Sequence, residues 1–238
     1  MSKSDNFTNV KLRINTLDIY HFRNAILTST KAAIPYFKGN FLDVGCGNKP
    51  YKNLILQNKS ISTYTGLDLE NARNYGGPKA DIFWTKDGSI PLPSESYDSA
   101  MATEVLEHCP KPEAIISEVY RVLKTDSFFF ITVPFIWNLH EVPHDEYRYT
   151  PFALQRILNE YGFEIIKMEA HGGWNAALGL MLSLWCRRYI KNNLLKFTFS
   201  FFLLPLIAIL YKVDTIPPSF SEGQMITGIS LIAKKVKR

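Results

Sequence analysis

Residues 41–51, with the sequence FLDVGCGNKPY, decide the fold of this chain. Leu42 and Val44 favour a buried β-strand, and Gly45 and Gly47 allow backbone angles that a Cβ atom would forbid. A glycine loop that leads from a strand into a helix presents free N–H groups to an anionic or polar ligand. The stretch therefore predicts a strand, a tight turn and a helix that together form a nucleotide-like cofactor site.

The same stretch departs from the dinucleotide-binding pattern G-x-G-x-x-G, because Pro50 stands where the third glycine would fall. Proline is compatible with the first turn of a helix, so we expect a helix to follow the loop. Asp43 precedes the first glycine, where its carboxylate can face an ammonium group. The stretch resembles motif I, D-x-G-x-G, of the class I S-adenosylmethionine-dependent methyltransferases.

Further motifs follow in the order of that family. Residues 63–70, TYTGLDLE, predict a second strand ending at Asp68, whose carboxylate can bind both hydroxyls of a ribose. Residues 97–108, YDSAMATEVLEH, resemble the family's fourth strand and the loop after it, and residues 121–124, RVLK, resemble the end of its next helix. Residues 128–134, FFFITVP, are the continuous apolar run expected of a strand buried on both faces.

The resemblance implies an α/β fold, a Rossmann-like, doubly wound sheet of seven strands with the last strand antiparallel. It is closest to the type 11 methyltransferase domains, and it implies S-adenosylmethionine as the cofactor and methyl transfer as the reaction. Asp43, the glycine loop and Glu104 would hold the methionine part, Asp68 the ribose and Asp87 the adenine, with Asp81 as second choice for the adenine. The full set of expected cofactor-binding residues is Asp43, Gly45, Cys46, Gly47, Asp68, Leu69, Asp87, Gly88 and Glu104.

A long loop, residues 134–151 with the sequence PFIWNLHEVPHDEYRYTP, follows the fifth predicted strand. Ligands bind at this edge of open α/β sheets. Three interpretations remain open: acceptor binding with His140 or His144 as general base, a metal site built from His140, Glu141, His144 and Asp145, or a hydrogen-bonded lid. Many members of the family share a similar loop. We therefore assign His140, His144 and Glu141 as catalytic residues and expect no resident metal.

An apolar segment of about fifty residues, longer than a structureless loop should be, separates the sixth and seventh predicted strands, at 163–170 and 225–233. Its two apolar blocks, 174–186 and 197–211, are joined by a basic stretch. The second block is shorter than the about 18 to 20 residues of a membrane span. A single crossing would also separate the seventh strand from its sheet. We therefore predict two helices that lie in the membrane interface, or form a buried cap or a dimer interface.

Composition agrees with one α/β domain that carries an insertion. We divide the chain into a helical segment at 1–38, a cofactor-binding core at 39–171, the apolar insertion at 172–223, and a final strand with a basic tail at 224–238. The three scattered cysteines argue against a disulfide framework and favour a reducing cytoplasm. The net charge is +5. The sequence lacks the interleaved basic and aromatic residues that are typical of a nucleic-acid binder.

The residues by themselves do not identify the acceptor of the methyl group. The resemblance extends to methyltransferases encoded with bacterial surface-polysaccharide assembly genes, which implies a small-molecule or glycan acceptor such as a sugar hydroxyl on a lipid-linked glycan. A quinone-like lipophilic molecule is the alternative acceptor, and a non-catalytic, membrane-associated cofactor-binding module is the alternative of another class. We expect a cytoplasmic protein, in the bulk or at the inner face of the membrane, and leave its oligomeric state open. Pro50 disfavours an NAD-dependent dehydrogenase.

Overall fold

The computed structural model describes residues 5–70, 79–85 and 88–237. Their strands are β1 (Gly39–Val44), β2 (Ile61–Asp68), β3 (Ile82–Phe83), β4 (Tyr97–Thr103), β5 (Leu123–Pro134), β6 (Phe163–His171) and β7 (Gly228–Lys235). They form one sheet in the order β3-β2-β1-β4-β5-β7-β6. The first five strands pair in parallel, and β7 runs antiparallel to both β5 and β6. This confirms the predicted fold class.

Helices cover both faces of the sheet. They are α1 (Asp5–Thr8), α2 (Leu17–Ala33), α3 (Lys52–Ile55), α4 (Pro112–Val122), α5 (Pro151–Glu160), α6 (Trp174–Leu184) and α7 (Asn193–Lys212). On one face, α4 and α5 bury residues such as Ile116 and Leu154 against the strands. On the other face, α2 and α3 bury residues such as Ile26 and Ile55. Helix α2 thus packs against a face of the sheet.

The glycine loop leaves β1 through two left-handed residues, Gly45 with φ 66° and Gly47 with φ 50°. The helix after it begins at Lys52. Lys49, which precedes Pro50, is also left-handed, with a φ of 55°. The buried side chain of Lys49 donates to Asp81 Oδ1 at 2.5 Å, which holds this turn in place.

The loop at 134–151 ends at α5, where the local sequence determines the helix boundary. The Thr150 hydroxyl accepts a hydrogen bond from the backbone N–H of Ala153 at 3.2 Å, and Pro151 occupies the first helical position. The helix stops before Gly162, whose φ is 85°. These start and stop signals were predicted from the sequence, and they fix the far end of the loop against the core.

The insertion folds as an antiparallel pair, α6 and α7, joined by a π-helical turn at Trp185–Tyr189. About half of the residues of α6 are buried, whereas only 11% of the most apolar window of α7 is buried. The choice between a cap, a dimer interface and an element in the membrane interface stays a prediction. Helix α7 reaches 20 residues because Asn192 caps it earlier than the apolar block suggested, and by length and composition it could cross a membrane. A single crossing is incompatible with β7, which returns to pair between β5 and β6.

Candidate active site

The carboxyl ends of β1, β2 and β4 open onto two adjoining cavities, as the crevice rule for open α/β sheets predicts. The first cavity, of about 390 Å³, lies between the glycine loop, α2 and the loop at 134–151. The second cavity, of about 540 Å³, lies beyond the end of β2 and is bounded by the start of α4. Gly45, Glu104 and His108 line both, so the two cavities meet at these residues.

The predicted cofactor residues divide between the cavities. Asp43, Gly45, Cys46, Gly47 and Glu104 line the first. Asp68, Leu69 and Gly88 line the second, together with Gly45 and Glu104. Asp87 lies outside the described residues, so its role stays a prediction.

Asp68 ends β2 and connects it to the glycine loop. Its Oδ2 accepts a hydrogen bond from the backbone N–H of Gly47 at 2.7 Å, and its Oδ1 accepts one from Leu69 at 2.8 Å. Burial raises the pKa of the carboxyl group, and these two donors oppose the shift. The carboxylate is therefore held at the rim of the second cavity in a fixed orientation.

Asp43 lies at the base of the glycine loop and is 1% exposed. It accepts a hydrogen bond from the hydroxyl of Tyr64. Burial raises its pKa to about 7, against the effect of that hydrogen bond. A cationic group in the first cavity would favour its ionised form, as expected for a carboxylate that receives an ammonium group.

Glu104 follows β4 in a left-handed conformation, with φ 57°. Its backbone N–H donates to the carbonyl of Thr132 at 3.0 Å, and its Oε1 accepts from the Thr132 hydroxyl at 2.7 Å. Burial raises its pKa to about 7. Unusual backbone angles of this kind often occur at functional sites, and here the conformation places a carboxylate where the two cavities join.

The surroundings of Cys46 and Asp81 indicate a structural role for both side chains. Burial raises the pKa of the Cys46 thiol, so the neutral thiol fills space beside the loop, as expected from the sequence. Asp81, the second choice for the adenine, accepts hydrogen bonds from Lys49 and from the backbone N–H of Gly66 at 2.7 Å. It lines neither of the two cavities and instead supports the loop from behind.

His140 lies in the first cavity and is oriented by Asp145. Its Nδ1 is 3.3 Å from Asp145 Oδ2, and its backbone N–H donates to the same oxygen at 3.1 Å. Arg148 binds that carboxylate with two nitrogens, at 2.7 and 2.8 Å, which lowers the pKa of Asp145 to about 2. Burial lowers the pKa of His140 itself, so its imidazole is neutral at neutral pH and can accept a proton.

The structure separates the two histidines that the sequence could not rank. His144 is exposed and lines neither cavity, although its backbone carbonyl accepts a hydrogen bond from His108 Nδ1 at 2.8 Å. Glu141 lines the first cavity in a left-handed conformation, with φ 50°. His140 and Glu141 are thus brought together at the cavity, whereas the ring of His144 points elsewhere.

Sequence reasoning gave no role to Glu107 and His108, the end of the LEH motif. Glu107 is completely buried, and His108 lines both cavities with its ring 4.6 Å from that of His140. The aromatic side chains of Phe22 and Trp137, stacked at 4.3 Å, were also not assigned, yet both line the first cavity. The sequence signal that could have identified Glu107 and His108 is an ionisable pair in the loop after a buried strand, the position at which ligands bind.

Gly45→Ala is expected to destabilise the fold by more than backbone strain alone. A Cβ atom there would lie 2.4 Å from Val105 Cγ2, and the left-handed backbone adds about 1–2 kcal/mol. Gly223→Ala is the matched control, because Gly223 has a φ of 80° but open space around it. Urea denaturation of both variants measures the difference. Equal losses of unfolding free energy would contradict the predicted clash with Val105.

The comparisons with known proteins agree with this geometry. Residues 42–131 match the family model described as a methyltransferase domain. The chain contains a class I S-adenosylmethionine-dependent methyltransferase domain. Over 138 residues it is 25% identical to a fatty-acid O-methyltransferase of Mycolicibacterium smegmatis, an alignment that covers 56% of this chain and 46% of that protein.

A second relative and a solved structure extend the comparison. Over 104 residues the chain is 30% identical to a sterol 24-C-methyltransferase of Gibberella zeae, covering 37% of this chain and 26% of that enzyme. The chain thus aligns with about half or less of these two relatives. A crystal structure of a protein from Bacillus halodurans assigned as a methyltransferase superposes with a TM-score of 0.56 at 18% identity, covering 88% of this chain and 98% of that one. That likeness shows the shared fold.

S-adenosylmethionine is the cofactor of this methyltransferase domain. The residues present fit it chemically. The buried carboxylate of Asp43 and that of the half-buried residue Glu104 line one cavity, where they suit a cationic amino-acid moiety. Asp68 stands at the rim of the other cavity, where it suits ribose hydroxyls.

Proposed function

We propose that this protein transfers a methyl group from S-adenosylmethionine to a lipid or lipid-linked acceptor at a membrane surface. The observation that carries the proposal is the composition of the first cavity. Its walls join the glycine loop to an apolar surface on α2 and to Arg188 of the insertion. The insertion, whose helix α7 is largely uncovered, therefore borders the acceptor side of the site through the turn that joins α6 and α7.

The two cavities suit the two halves of the cofactor. We propose that Asp43, Gly47 and Glu104 hold the methionine part in the first cavity, and that Asp68 holds the ribose in the second. Leu69 and Gly88 line the remainder of the second cavity, where we expect the adenine. The methyl group would then lie near Gly45 and Glu104, at the junction of the two cavities.

The acceptor side of the first cavity is amphipathic. Phe22, Ile26 and Trp137 provide an apolar wall, whereas His140 and Glu141 provide polar groups. A molecule with a hydroxyl-bearing head and an apolar body matches both surfaces. The two relatives described above are named for methyl transfer to fatty acids and to sterols, which supports a lipophilic acceptor.

Methyl transfer requires that the acceptor oxygen is aligned with the methyl group and that the acceptor hydroxyl loses its proton. The bound cofactor supplies an electrophilic methyl group on a sulfonium. The cavity would hold the acceptor oxygen in line with that group, which is the main contribution of the protein. As the oxygen–methyl bond forms and the sulfur–methyl bond breaks, His140 would take the hydroxyl proton, and Asp145 would hold its ring in the required orientation.

His140→Asn is expected to lower kcat by about 100-fold, the usual effect of losing a general base. His144→Asn is expected to keep most of the rate, because its ring lies outside the cavity. Single-turnover rates at saturating cofactor would measure both. Equal losses in the two variants, or none in His140→Asn, would contradict the assignment of the base.

Binding of S-adenosylhomocysteine is expected to tighten as the pH rises from about 6 to about 8. In the free protein the pKa of Asp43 is raised to about 7. The ligand's ammonium group favours the carboxylate form, so binding lowers that pKa and releases a proton. The pH dependence should weaken in Asp43→Asn, because Glu104, whose pKa is also raised to about 7, remains in the same cavity. It should disappear with methylthioadenosine, which lacks the ammonium group. Calorimetric titrations at several pH values would measure it, and an affinity independent of pH in the wild type would exclude this linkage.

The exposed face of α7 supports attachment to an anionic bilayer. Phe197, Phe201 and Phe202 are each more than half exposed. Residues 172–213 contain five basic residues and no acidic ones, namely Arg187, Arg188, Lys191, Lys196 and Lys212. Arg187 and Arg188 pair with Asp18 within the chain, so the argument rests on the three lysines. A second copy of the chain packed on this face would bring these lysines together, whereas anionic lipids would neutralise them. We therefore propose a membrane surface as the partner.

Incubation with cofactor carrying a labelled methyl group tests the proposal. Total lipid extract and water-soluble metabolites of the source organism would be offered separately as acceptors. We expect label in the organic phase and stoichiometric S-adenosylhomocysteine. Label confined to water-soluble products would contradict the lipid acceptor. Cofactor binding without turnover on any fraction would favour a non-catalytic module.

A further inference from the structure

We infer that Glu107, His108 and His140 form a binding site for one divalent transition-metal ion of the zinc class. One ligand atom from each of the three lies within 4.8 Å of the others, the only such group of three among the residues that the structure describes. The site lies beside the first cavity, which His108 and His140 line. Metal binding at this site does not depend on the proposed function. Only the catalytic consequence of metal binding rests on the proposed function.

Glu107 is the observation that points to a ligand. Its side chain is 0% exposed, and neither carboxylate oxygen has a hydrogen-bond partner in another described residue. A buried carboxylate without a partner is costly, and native structures normally pair such groups or use them as metal ligands. The nearest imidazole nitrogen, His108 Nε2, is 3.8 Å from Glu107 Oε1.

His108 is oriented for coordination by its other ring nitrogen. Nδ1 lies 2.8 Å from the backbone carbonyl oxygen of His144. Because a carbonyl can only accept, Nδ1 carries the proton and the lone pair lies on Nε2, on the side of Glu107. Metal-binding histidines are typically held by a hydrogen bond of this type.

His140 lies beside a carboxylate that is itself held in place. Its backbone N–H donates to Asp145 Oδ2 at 3.1 Å, and Arg148 fixes that carboxylate with two hydrogen bonds. The buried Nδ1 of His140 has no hydrogen-bond partner among the described residues, so a ring nitrogen is available as a ligand. Arg148 is the only lysine or arginine of the loop at 134–151. Its positive charge, which would oppose a metal ion at the three ligands, is neutralised by Asp145.

The donor set suggests the class of metal and its consequence. Two imidazoles and one carboxylate are a common set for catalytic zinc, which retains an open position for water or substrate. His108 and His140 face the first cavity, so an acceptor oxygen could take that position and have its pKa lowered by the ion. With the ion bound, His140 would act as a ligand, and the metal would take over the activation of the acceptor hydroxyl.

Direct titration tests the site. The full chain, treated with chelator and dialysed, would be titrated with Zn²⁺ by calorimetry and with Co²⁺ by visible absorption. We expect one equivalent to bind, with affinity reduced at least about tenfold in Glu107→Gln and His108→Ala. His144→Ala should bind like the wild type, because only its backbone carbonyl supports His108. Circular dichroism would verify that each variant is folded.

Two results would overturn the inference. One is a wild-type chain that is folded and binds neither ion at neutral pH. The other is binding that Glu107→Gln and His108→Ala leave unchanged, which would place the ion elsewhere. Metal binding without methyl transfer would refute only the proposed function. Methyl transfer by a chain that binds neither ion would refute only the metal site.

Discussion

Asp68→Ala is expected to weaken binding of S-adenosylhomocysteine by about 100-fold or more, because hydrogen bonds to a charged acceptor contribute about 1.5–3 kcal/mol each. The carboxylate is held at the rim of the second cavity by the backbone N–H groups of Gly47 and Leu69. Its loss would remove the expected ribose contacts and also release the glycine loop from β2. The effect should therefore exceed that of losing ligand contacts alone.

Asp68→Asn and Asp126→Asn make the test specific. The asparagine at 68 keeps the shape and one acceptor oxygen, so it should lose less affinity than alanine. Asp126 forms an ion pair with Lys234 on the surface, at 2.6 Å, and its replacement should leave binding unchanged. Calorimetric titration with NAD as a second ligand would check selectivity. Wild-type affinity in Asp68→Ala would refute the placement of the ribose.

The double variant Phe201→Glu, Phe202→Glu is expected to lower affinity for anionic vesicles by about 30-fold or more, since each buried aromatic ring contributes at least ~1 kcal/mol. These side chains are 55% and 70% exposed on α7. They make few contacts within the chain, so their replacement should remove membrane contact while leaving the fold intact. Flotation with phosphatidylglycerol-containing vesicles measures the loss.

Leu56→Glu, Phe152→Glu is the matched control for charge and hydrophobicity. These two side chains are 45% and 65% exposed but lie outside the insertion. The control adds the same negative charge and removes comparable apolar surface, so it should float like the wild type. Equal loss in both double variants would indicate non-specific electrostatics. If the wild-type chain does not float but elutes as a dimer, the partner of the exposed face of α7 would be a second copy of the chain and not a membrane.

Much of the fold follows from local sequence. The first strands and the glycine loop between strand and helix were readable, because apolar periodicity and left-handed turn positions act over a few residues. The start of α5 at Thr150 and its end before Gly162 were readable for the same reason. The doubly wound sheet of seven strands followed from the resemblance to the class I methyltransferases. The division of the chain into four segments and the roles of the site residues remain predictions.

The sequence by itself therefore determined the fold class, the cofactor and the position of its loop. Only the tertiary structure decided which of His140 and His144 faces the cavity, because that depends on the contact of His140 with Asp145, which Arg148 holds in place. It also brought Glu107 and His108 to His140 from a different segment of the chain. Hydropathy predicted an apolar helix at α7, but whether other elements cover such a helix is a property of packing. The structure leaves its outer face exposed.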